Sequence, residues 1–241
     1  MKRIIITATL LLCLVLTSGA RTVNLSDWTL SRNGQAAEYA AKVPATVAGV
    51  LSRNNFYGED LMAGTAYYSA DKSIFDDAWT FRTTFDAPHN CKEHCLLTFN
   101  GLNYYADIVL NGKKIASSDT TYGVFVRRTF DITKLARKSG NVLSVTLRRA
   151  RMEKGDLNIG FVDWNPRPID ESMGITNTVE LKTVGNISLS EPFVKPELDV
   201  NTLKSDDIFL RDTHESRTLT CKVSGGIEGN FSVQTWNSIV E

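Results

Sequence analysis

The 241-residue sequence has little proline and little cysteine, with six and four residues, and it has no excess of charge of either sign. Its 27 basic residues are balanced by 27 acidic residues. Domains that bind nucleic acids need a basic surface to neutralise phosphates, so we expect no nucleic-acid partner. The 42% of hydrophobic and 22% of charged residues exclude a disordered chain and are typical of a globular protein.

Long apolar runs are also missing, apart from one near the N-terminus. Lys2 and Arg3 precede an apolar segment at residues 4–17, which is short for a membrane span and is followed by small residues at 18–20. This order is typical of a secretory leader. We therefore expect residues 1–20 to be a signal peptide and the mature chain to be periplasmic or secreted, without membrane association once the leader is removed.

The few cysteines have two possible uses. Cys91 and Cys95 lie in one polar turn, PHNCKEHC, and export would place them in an oxidising compartment where a disulfide between them is sterically possible. The alternative is a metal site that also uses His89 and His94, but all four side chains crowd one turn and lack a second, spaced ligand pair. We predict the disulfide, no metal and no cofactor. Cys221 is expected to be a buried strand residue.

Apolar and polar residues alternate with a period of two in several segments, which is typical of half-buried strands. The apolar rows are Trp79, Phe81 and Phe85, then Ala106, Ile108 and Leu110, then Leu143, Val145 and Leu147. Asn111-Gly112 follows the second row and predicts a tight hairpin, because both central positions of a type I′ turn need positive φ. Only two short helices are expected, at residues 46–53 and 133–138.

Many short strands separated by turn residues predict an all-β protein built as a sandwich of two sheets. We assign residues 21–190 to a jelly-roll-like β-sandwich, which Pro192 and Pro196 bring to an end. Residues 191–241 contain an alternating strand at Leu219, Cys221 and Val223. This segment is long enough only for the start of an incomplete second sandwich.

One loop has the residues that proteins use to bind sugars. In GFVDWNPRP, residues 160–168, Pro166 and Pro168 stiffen the backbone, which lowers the cost of ordering the loop around a ligand. Trp164 offers a flat apolar face for a sugar ring, and Asp163 can accept hydrogen bonds from two hydroxyls. The alternative is structural, with the tryptophan packed on a sheet and the aspartate capping a turn.

Several segments together resemble the N-terminal sugar-binding jelly-roll domain of glycoside hydrolase family 2. They are VPATVAGVL, WTFRTTFDAP, FNGLNYYADIVLNGKKI, FDITKLARKSGNVLSVTL and GFVDWNPRPIDESMGITNTVEL, and the resemblance covers roughly residues 25–190. It implies that residues 191–241 begin an immunoglobulin-like sandwich. It also implies that Asp163 and Trp164 reach into the active site of a following barrel and shape the subsite for the terminal sugar.

Details of this resemblance point to one branch of the family. Asn165 and Pro166 match the Asp-Trp-Asn-Pro pattern of glucosaminidase-like members, whereas mannosidase-like members more often have glycine in place of Asn165. One departure follows the loop. The family pattern resembles MGIWR, but here residues 173–175 are followed by Thr176 and Asn177.

Family members hydrolyse β-glycosides with two glutamates at strand ends of a (β/α)8 barrel of about 250 residues. This chain has neither the length nor the βαβ alternation for such a barrel, and its adjacent acidic pairs are expected to face water in loops. Those pairs are Asp76–Asp77, Asp170–Glu171 and Asp206–Asp207. We therefore predict no catalytic residue here.

The expected function is that of the non-catalytic N-terminal part of an exported β-glucosaminidase or β-mannosidase. Asp163, Trp164 and Asn165 are the predicted substrate-binding residues. The expected partners are a terminal β-linked sugar and the missing catalytic barrel. The alternatives are a stand-alone carbohydrate-binding module, since jelly rolls also serve as lectins, and a purely structural domain.

Overall fold

The computed structural model describes residues 21–61, 65–88, 94–157 and 166–184, together with the backbone of residues 218–223 and 227–232. The chain divides into two compact units, with the boundary between Asn186 and Ile187. The predicted signal peptide at residues 1–20 and the predicted domain boundary at residue 190 lie outside the described residues. Neither prediction is tested by the structure.

The first unit consists mainly of strands. In chain order they are β1 Arg21–Asn24, β2 Asp27–Arg32, β3 Glu38–Lys42, β4 Ala45–Thr46, β5 Trp79–Phe85, β6 His94–Phe99, β7 Tyr105–Leu110, β8 Lys113–Ala116, β9 Arg128–Asp131, β10 Asn141–Arg148, β11 Gly174–Ile175 and β12 Val179–Val184. Two short helices, α1 Val47–Arg53 and α2 Ala66–Ser69, and 3₁₀ turns at Ser73–Asp76 and Met152–Lys154 complete the unit. None of the helices in the described part of the chain has the length and apolarity that a bilayer span requires.

The strands form two main antiparallel sheets. One sheet has the order β3-β2-β5-β10-β7-β8, and the other has the order β1-β12-β6-β9. Strands β4 and β11 make a separate two-stranded ribbon. Buried side chains from both main sheets, including Phe81 and Leu143 from the first and Leu97 and Leu181 from the second, belong to one hydrophobic core. This arrangement confirms the predicted all-β sandwich.

The period-two rows were predicted correctly because each row faces this core. Trp79 of β5, Ile108 of β7 and Leu143 of β10 are at most 1% exposed. The hairpin between β7 and β8 is also as predicted, with φ of 52° at Asn111 and 83° at Gly112. The predicted helix at residues 46–53 is α1, and the side chain of Thr46 caps it by accepting a hydrogen bond from Gly49 N at 3.1 Å.

The predicted helix at residues 133–138 was wrong. The segment is a turn in which the amides of Leu135 and Ala136 both donate to the carbonyl of Ile132. The hydroxyl of Thr133, expected to cap a helix, instead accepts a hydrogen bond from Cys95 N of β6 at 2.8 Å. The tertiary contact uses the capping group and ends the helix before it starts.

The described part of the second unit is a hairpin of β13 Thr218–Val223 and β14 Ile227–Ser232, which pair in antiparallel fashion. The strand predicted from Leu219, Cys221 and Val223 coincides with β13. The immunoglobulin-like nature of this unit stays a prediction.

Polar side chains on the outer face of the six-stranded sheet form a charged network around Asp107. Its carboxylate accepts hydrogen bonds from Arg148 at 2.9 Å, Lys114 at 3.1 Å and the amide of Ser118 at 3.2 Å. Desolvation opposes ionisation, but these three donors outweigh it and lower the pKa of Asp107 to about 2. Asp107 therefore ties β7, β8 and β10 together.

This depressed pKa predicts a component of acid stability. The stabilisation by ionised Asp107 is fully present above the unfolded-state pKa of about 4 and is lost as the pH falls toward 2. We expect Asp107→Asn to lower the thermal midpoint at pH 7 by a few degrees, with a much smaller difference from wild type at pH 2. Thermal unfolding followed by circular dichroism at both pH values measures this, and an equal difference at both would contradict it.

Candidate functional site

The described end of the sugar-binding loop lies against α1 and forms a cleft with it. The cleft has a volume of about 440 Å³ and an apolar floor that includes Ala48, Leu61 and Ile169. Polar groups at its rim include Arg53, Tyr67 and Arg167, and Pro166 and Pro168 line it as well. A cleft of this size lies within the range of small-molecule sites.

The predicted substrate-binding residues Asp163, Trp164 and Asn165 lie outside the described residues. Their distance from the cleft is nevertheless limited by chain length, because Pro166 follows Asn165 directly and lines the cleft. Two residues of extended chain span at most about 7 Å, so Cα of Trp164 lies within that distance of Cα of Pro166. Chain connectivity therefore places the predicted sugar-binding residues near this cleft.

The outgoing part of the loop is fixed by polar contacts. The hydroxyl of Tyr67 donates a hydrogen bond to the carbonyl oxygen of Arg167. The Arg167 guanidinium pairs with Glu171, with 2.7 Å between Nε and Oε1. Glu171 is only 7% exposed, so this ion pair is largely removed from solvent on the carboxylate side. These contacts hold the backbone next to the cleft.

Asp170 corrects a prediction made from the sequence. The pair Asp170–Glu171 was expected to face water, but Asp170 is only 2% exposed. Its Oδ2 accepts a hydrogen bond from Ala48 N at 2.7 Å, and its Oδ1 accepts one from Ser172 N at 2.9 Å. Asp170 therefore caps the first turn of α1 from a position 122 residues away in sequence.

The burial of Asp170 changes the ionisation of two groups. Desolvation raises the pKa of Asp170, although the hydrogen bonds from Ala48 and Ser172 oppose the change. Burial, and then the charge of Asp170, raise the pKa of Tyr57. Asp76 and Asp77, by contrast, are exposed as predicted and pair with Arg149 and Arg32. Asp206 and Asp207 lie outside the described residues.

A tight turn follows Asp170 and leads into β11. Glu171 and Ser172 both have positive φ, at 54° and 56°, which is costly for residues other than glycine. The side-chain amide of Asn103 donates to both carbonyls, at 2.9 Å to Glu171 and 2.8 Å to Ser172. Asn103, which is fully buried, thus stabilises the strained turn.

The residues after this turn fit closely against their neighbours. A Cβ on Gly174 would lie 2.3 Å from the carbonyl oxygen of Ala45, so only glycine allows β11 to pair with β4. A Cβ on Gly101 would lie 2.7 Å from Oγ1 of Thr176. Thr176 and Asn177, which replace the tryptophan and arginine of the family pattern, therefore lie directly against Gly101.

The incoming end of the loop is anchored by an aromatic cluster, consisting of Tyr104, Tyr105 and Tyr122. Ring centroids lie 4.9 Å apart for Tyr104 and Tyr105 and 6.0 Å apart for Tyr105 and Tyr122. The hydroxyl of Tyr105 donates to both carboxylate oxygens of Asp156, at 2.9 and 2.8 Å. Leu157, the last described residue before the loop, follows Asp156 directly.

The aspartate of this anchor has a second donor. The amide of Arg151 donates to Asp156 at 2.7 Å, while its guanidinium carbon lies 5.4 Å from the centroid of the Tyr105 ring. Desolvation, and then the hydrogen bond to Asp156, raise the pKa of Tyr105 to about 12. The tyrosine therefore stays a donor at physiological pH.

Neither this anchor nor the Asp170 cap was found from the sequence. The alternation of β7 marked Tyr105 as outward-facing, and a tyrosine on the polar face of a strand is a weak signal for such an anchor.

The cysteine predictions are tested only in part. Cys95 is fully buried on β6 and is disulfide-bonded. Cys91 lies outside the described residues, so the pairing of Cys91 with Cys95 stays a prediction. Among the residues that the structure describes, no group of three or more His, Cys, Asp or Glu side chains could hold a metal ion.

The sequence matches the family model described as glycosyl hydrolase 2 galactose-binding domain-like, over residues 28–158. The exo-β-D-glucosaminidase of Arthroderma benhamiae is 32% identical over 218 residues, which cover 87% of this chain and 24% of that protein. The exo-β-D-glucosaminidase of Hypocrea jecorina is 30% identical over 168 residues, covering 69% of this chain and 19% of that protein. The chain therefore spans about a quarter or less of the length of these relatives.

Solved structures show the same fold. The exo-chitosanase of Amycolatopsis orientalis superimposes with a TM-score of 0.67 at 23% identity, covering 74% of this chain and 22% of that chain. The β-D-mannosidase of Dictyoglomus thermophilum superimposes with a TM-score of 0.61 at 23% identity, covering 73% and 24%. Family model, relatives and fold agree, and the chain belongs to glycoside hydrolase family 2, whose N-terminal galactose-binding-like domain it contains.

The buried cap predicts the cost of disturbing the cleft. Both oxygens of Asp170 accept from backbone amides, so Asp170→Asn would place an amide donor against another donor. We expect a loss of about 1–3 kcal/mol in the free energy of unfolding. Urea unfolding followed by fluorescence measures the loss.

The matched control is Asp76→Asn, because Asp76 also pairs with a partner but its side chain is 57% exposed. An exposed ion pair contributes at most about 1 kcal/mol. Equal losses in the two variants would show that Asp170 is not the buried cap described above.

Proposed function

We propose that this chain is the non-catalytic N-terminal part of an exported family 2 glycosidase that acts on β-glucosaminides or β-mannosides. In this proposal Asp163, Trp164 and Asn165 form one wall of the subsite for the terminal sugar. The single observation that carries it is the anchored cleft beside Pro166, within a two-residue reach of Trp164. The relatives named as exo-β-D-glucosaminidases favour the glucosaminide over the mannoside.

The structure gives the loop the support that such a role requires. At the incoming end, Tyr105 and Asp156 fix the backbone just before Leu157. At the outgoing end, Tyr67 and the Arg167–Glu171 pair fix the backbone just after Pro166. A loop with both ends fixed on a rigid sandwich loses little entropy when it binds a ligand.

The chemistry assigned to the loop is binding rather than catalysis. The indole of Trp164 would stack on the sugar ring, and the carboxylate of Asp163 would accept hydrogen bonds from the sugar or pair with the ammonium group of a glucosaminide. Hydrolysis itself would require two carboxylates on the catalytic region of the whole enzyme. Export of the chain, with a leader at residues 1–20, belongs to the same proposal.

A chimera tests the loop in an active enzyme. This chain would replace the matched N-terminal region of the Arthroderma benhamiae exo-β-D-glucosaminidase. We expect Trp164→Ala to lower kcat/KM for an aryl β-glucosaminide by on the order of 100-fold, since a misplaced substrate loses that much. Tyr68→Ala removes an aromatic ring that is 77% exposed on α2 and should leave the rate unchanged. Equal rates for Trp164→Ala and the parent chimera would refute the proposed subsite.

Calorimetry on residues 21–241 alone gives an independent check. Because the loop would supply only one wall of the sugar pocket, we expect no measurable heat with chitosan or mannan oligosaccharides up to millimolar concentration. A dissociation constant well below millimolar, lost in Trp164→Ala, would instead identify a stand-alone carbohydrate-binding module.

A further inference from the structure

Large apolar side chains are concentrated on one exposed surface beside the incoming end of the loop. We name this surface the outer patch, and it consists of Tyr122, Phe125, Val126 and Leu157, which are 50%, 78%, 40% and 60% exposed. Among the described residues, the other large hydrophobic side chains with such exposure are Phe56 and Tyr68. A clustered apolar surface of this kind is typical of an interaction site rather than of free protein surface.

The members of the outer patch share one base. The ring of Tyr122 packs on Tyr104, with centroids 6.5 Å apart, and Tyr104 also contacts the backbone of Leu157. Val124, between Tyr122 and Phe125 in the chain, is buried against Tyr104 and Ala150. The patch is therefore a preformed surface on the sandwich, and binding it requires little reorganisation.

The chemistry of the outer patch favours a protein over a sugar. Sugar sites need polar groups that converge on hydroxyls, but both oxygens of the nearest carboxylate, Asp156, already accept from Tyr105, and one of them also accepts from Arg151 N. Val126 and Leu157 offer no hydrogen bonds at all. Exposed tyrosine and phenylalanine, with Arg127 and Arg128 next to them in sequence, are the residues that protein interfaces favour.

We propose that the outer patch is the surface on which the catalytic region of the whole enzyme docks. This inference rests on the proposed function, and its occupant lies in the part of the relatives' length that this chain does not match. The patch would then be buried within one polypeptide, which explains why so much apolar surface is exposed on this chain alone.

The length of the loop supports this occupant. Residues 158–165 join Leu157 to Pro166, and a chain of that length spans at most about 31 Å, or about 15 Å out and back. A region that receives the loop must therefore come within about 15 Å of one of its anchored ends. A barrel of about 250 residues has a radius of gyration of about 18 Å and is roughly 45 Å across, so it is wide enough to contact both ends.

Association in trans tests the proposal. The remainder of the Arthroderma benhamiae exo-β-D-glucosaminidase, beyond its matched region, would be produced separately and mixed with residues 21–241 of this chain. Sedimentation velocity would measure complex formation, with circular dichroism confirming that each variant is folded. The probes are Phe125→Asp and Leu157→Asp. The matched control is Tyr68→Asp, because Tyr68 and Phe125 are 77% and 78% exposed.

We expect association that each patch variant weakens at least tenfold and that the control leaves unchanged. No association, or equal association of all variants, overturns the proposal. Self-association of this chain that Phe125→Asp abolishes assigns the patch to a second copy and also overturns it, as does chitosan or mannan oligosaccharide binding that the same variant abolishes. A persisting effect of Trp164→Ala in the chimera, with no effect of the patch variants, would leave the proposed function intact and remove only this inference.

Discussion

The site depends on one buried carboxylate. Asp170 accepts the amide of Ala48 at 2.7 Å and thereby joins the end of the sugar-binding loop to the start of α1. A helix of seven residues is too short to be stable by itself, so α1 needs both this cap and its packing on the core. The cleft exists because these two segments meet, since one of its walls is α1 and the other is Pro166–Asp170. A carboxylate that is removed from water for this purpose shows that the position of the loop is worth a considerable desolvation cost.

The loop is held at two places by different kinds of interaction. On the outgoing side the contacts are a buried carboxylate, an ion pair and a tyrosine that donates to a backbone carbonyl. On the incoming side the contact is between Tyr105 and Asp156, with a guanidinium over the aromatic ring. Both anchors belong to the rigid sandwich, and neither requires a ligand. In a family whose relatives hydrolyse glycosides, such a loop suits a role in which a fixed domain presents side chains to a neighbouring region.

Much of the fold could be predicted from the sequence, because the strands signal themselves locally. Leu143, Val145 and Leu147 alternate with polar residues, and the sandwich buries that row as expected. The turn at Asn111-Gly112 also depends only on its own two residues. The errors arose where a distant partner decided the outcome. Thr133 was taken by Cys95 of another strand, and Asp170 was taken by an amide 122 residues away. Adjacent carboxylates in a loop look solvated in a sequence, since nothing local shows a helix start waiting to be capped.

The separation of Ala48 and Asp170 in the sequence also has a consequence for synthesis of the protein. The ribosome adds about 5–20 residues per second, so the 122 residues between them take about 6–24 s to emerge. During that interval α1 exists without its carboxylate, and the first wall of the cleft has no partner. The cleft is therefore among the last features to form on a nascent chain, and a pause in translation before Asp170 would leave the N-terminal strands waiting with an incomplete edge.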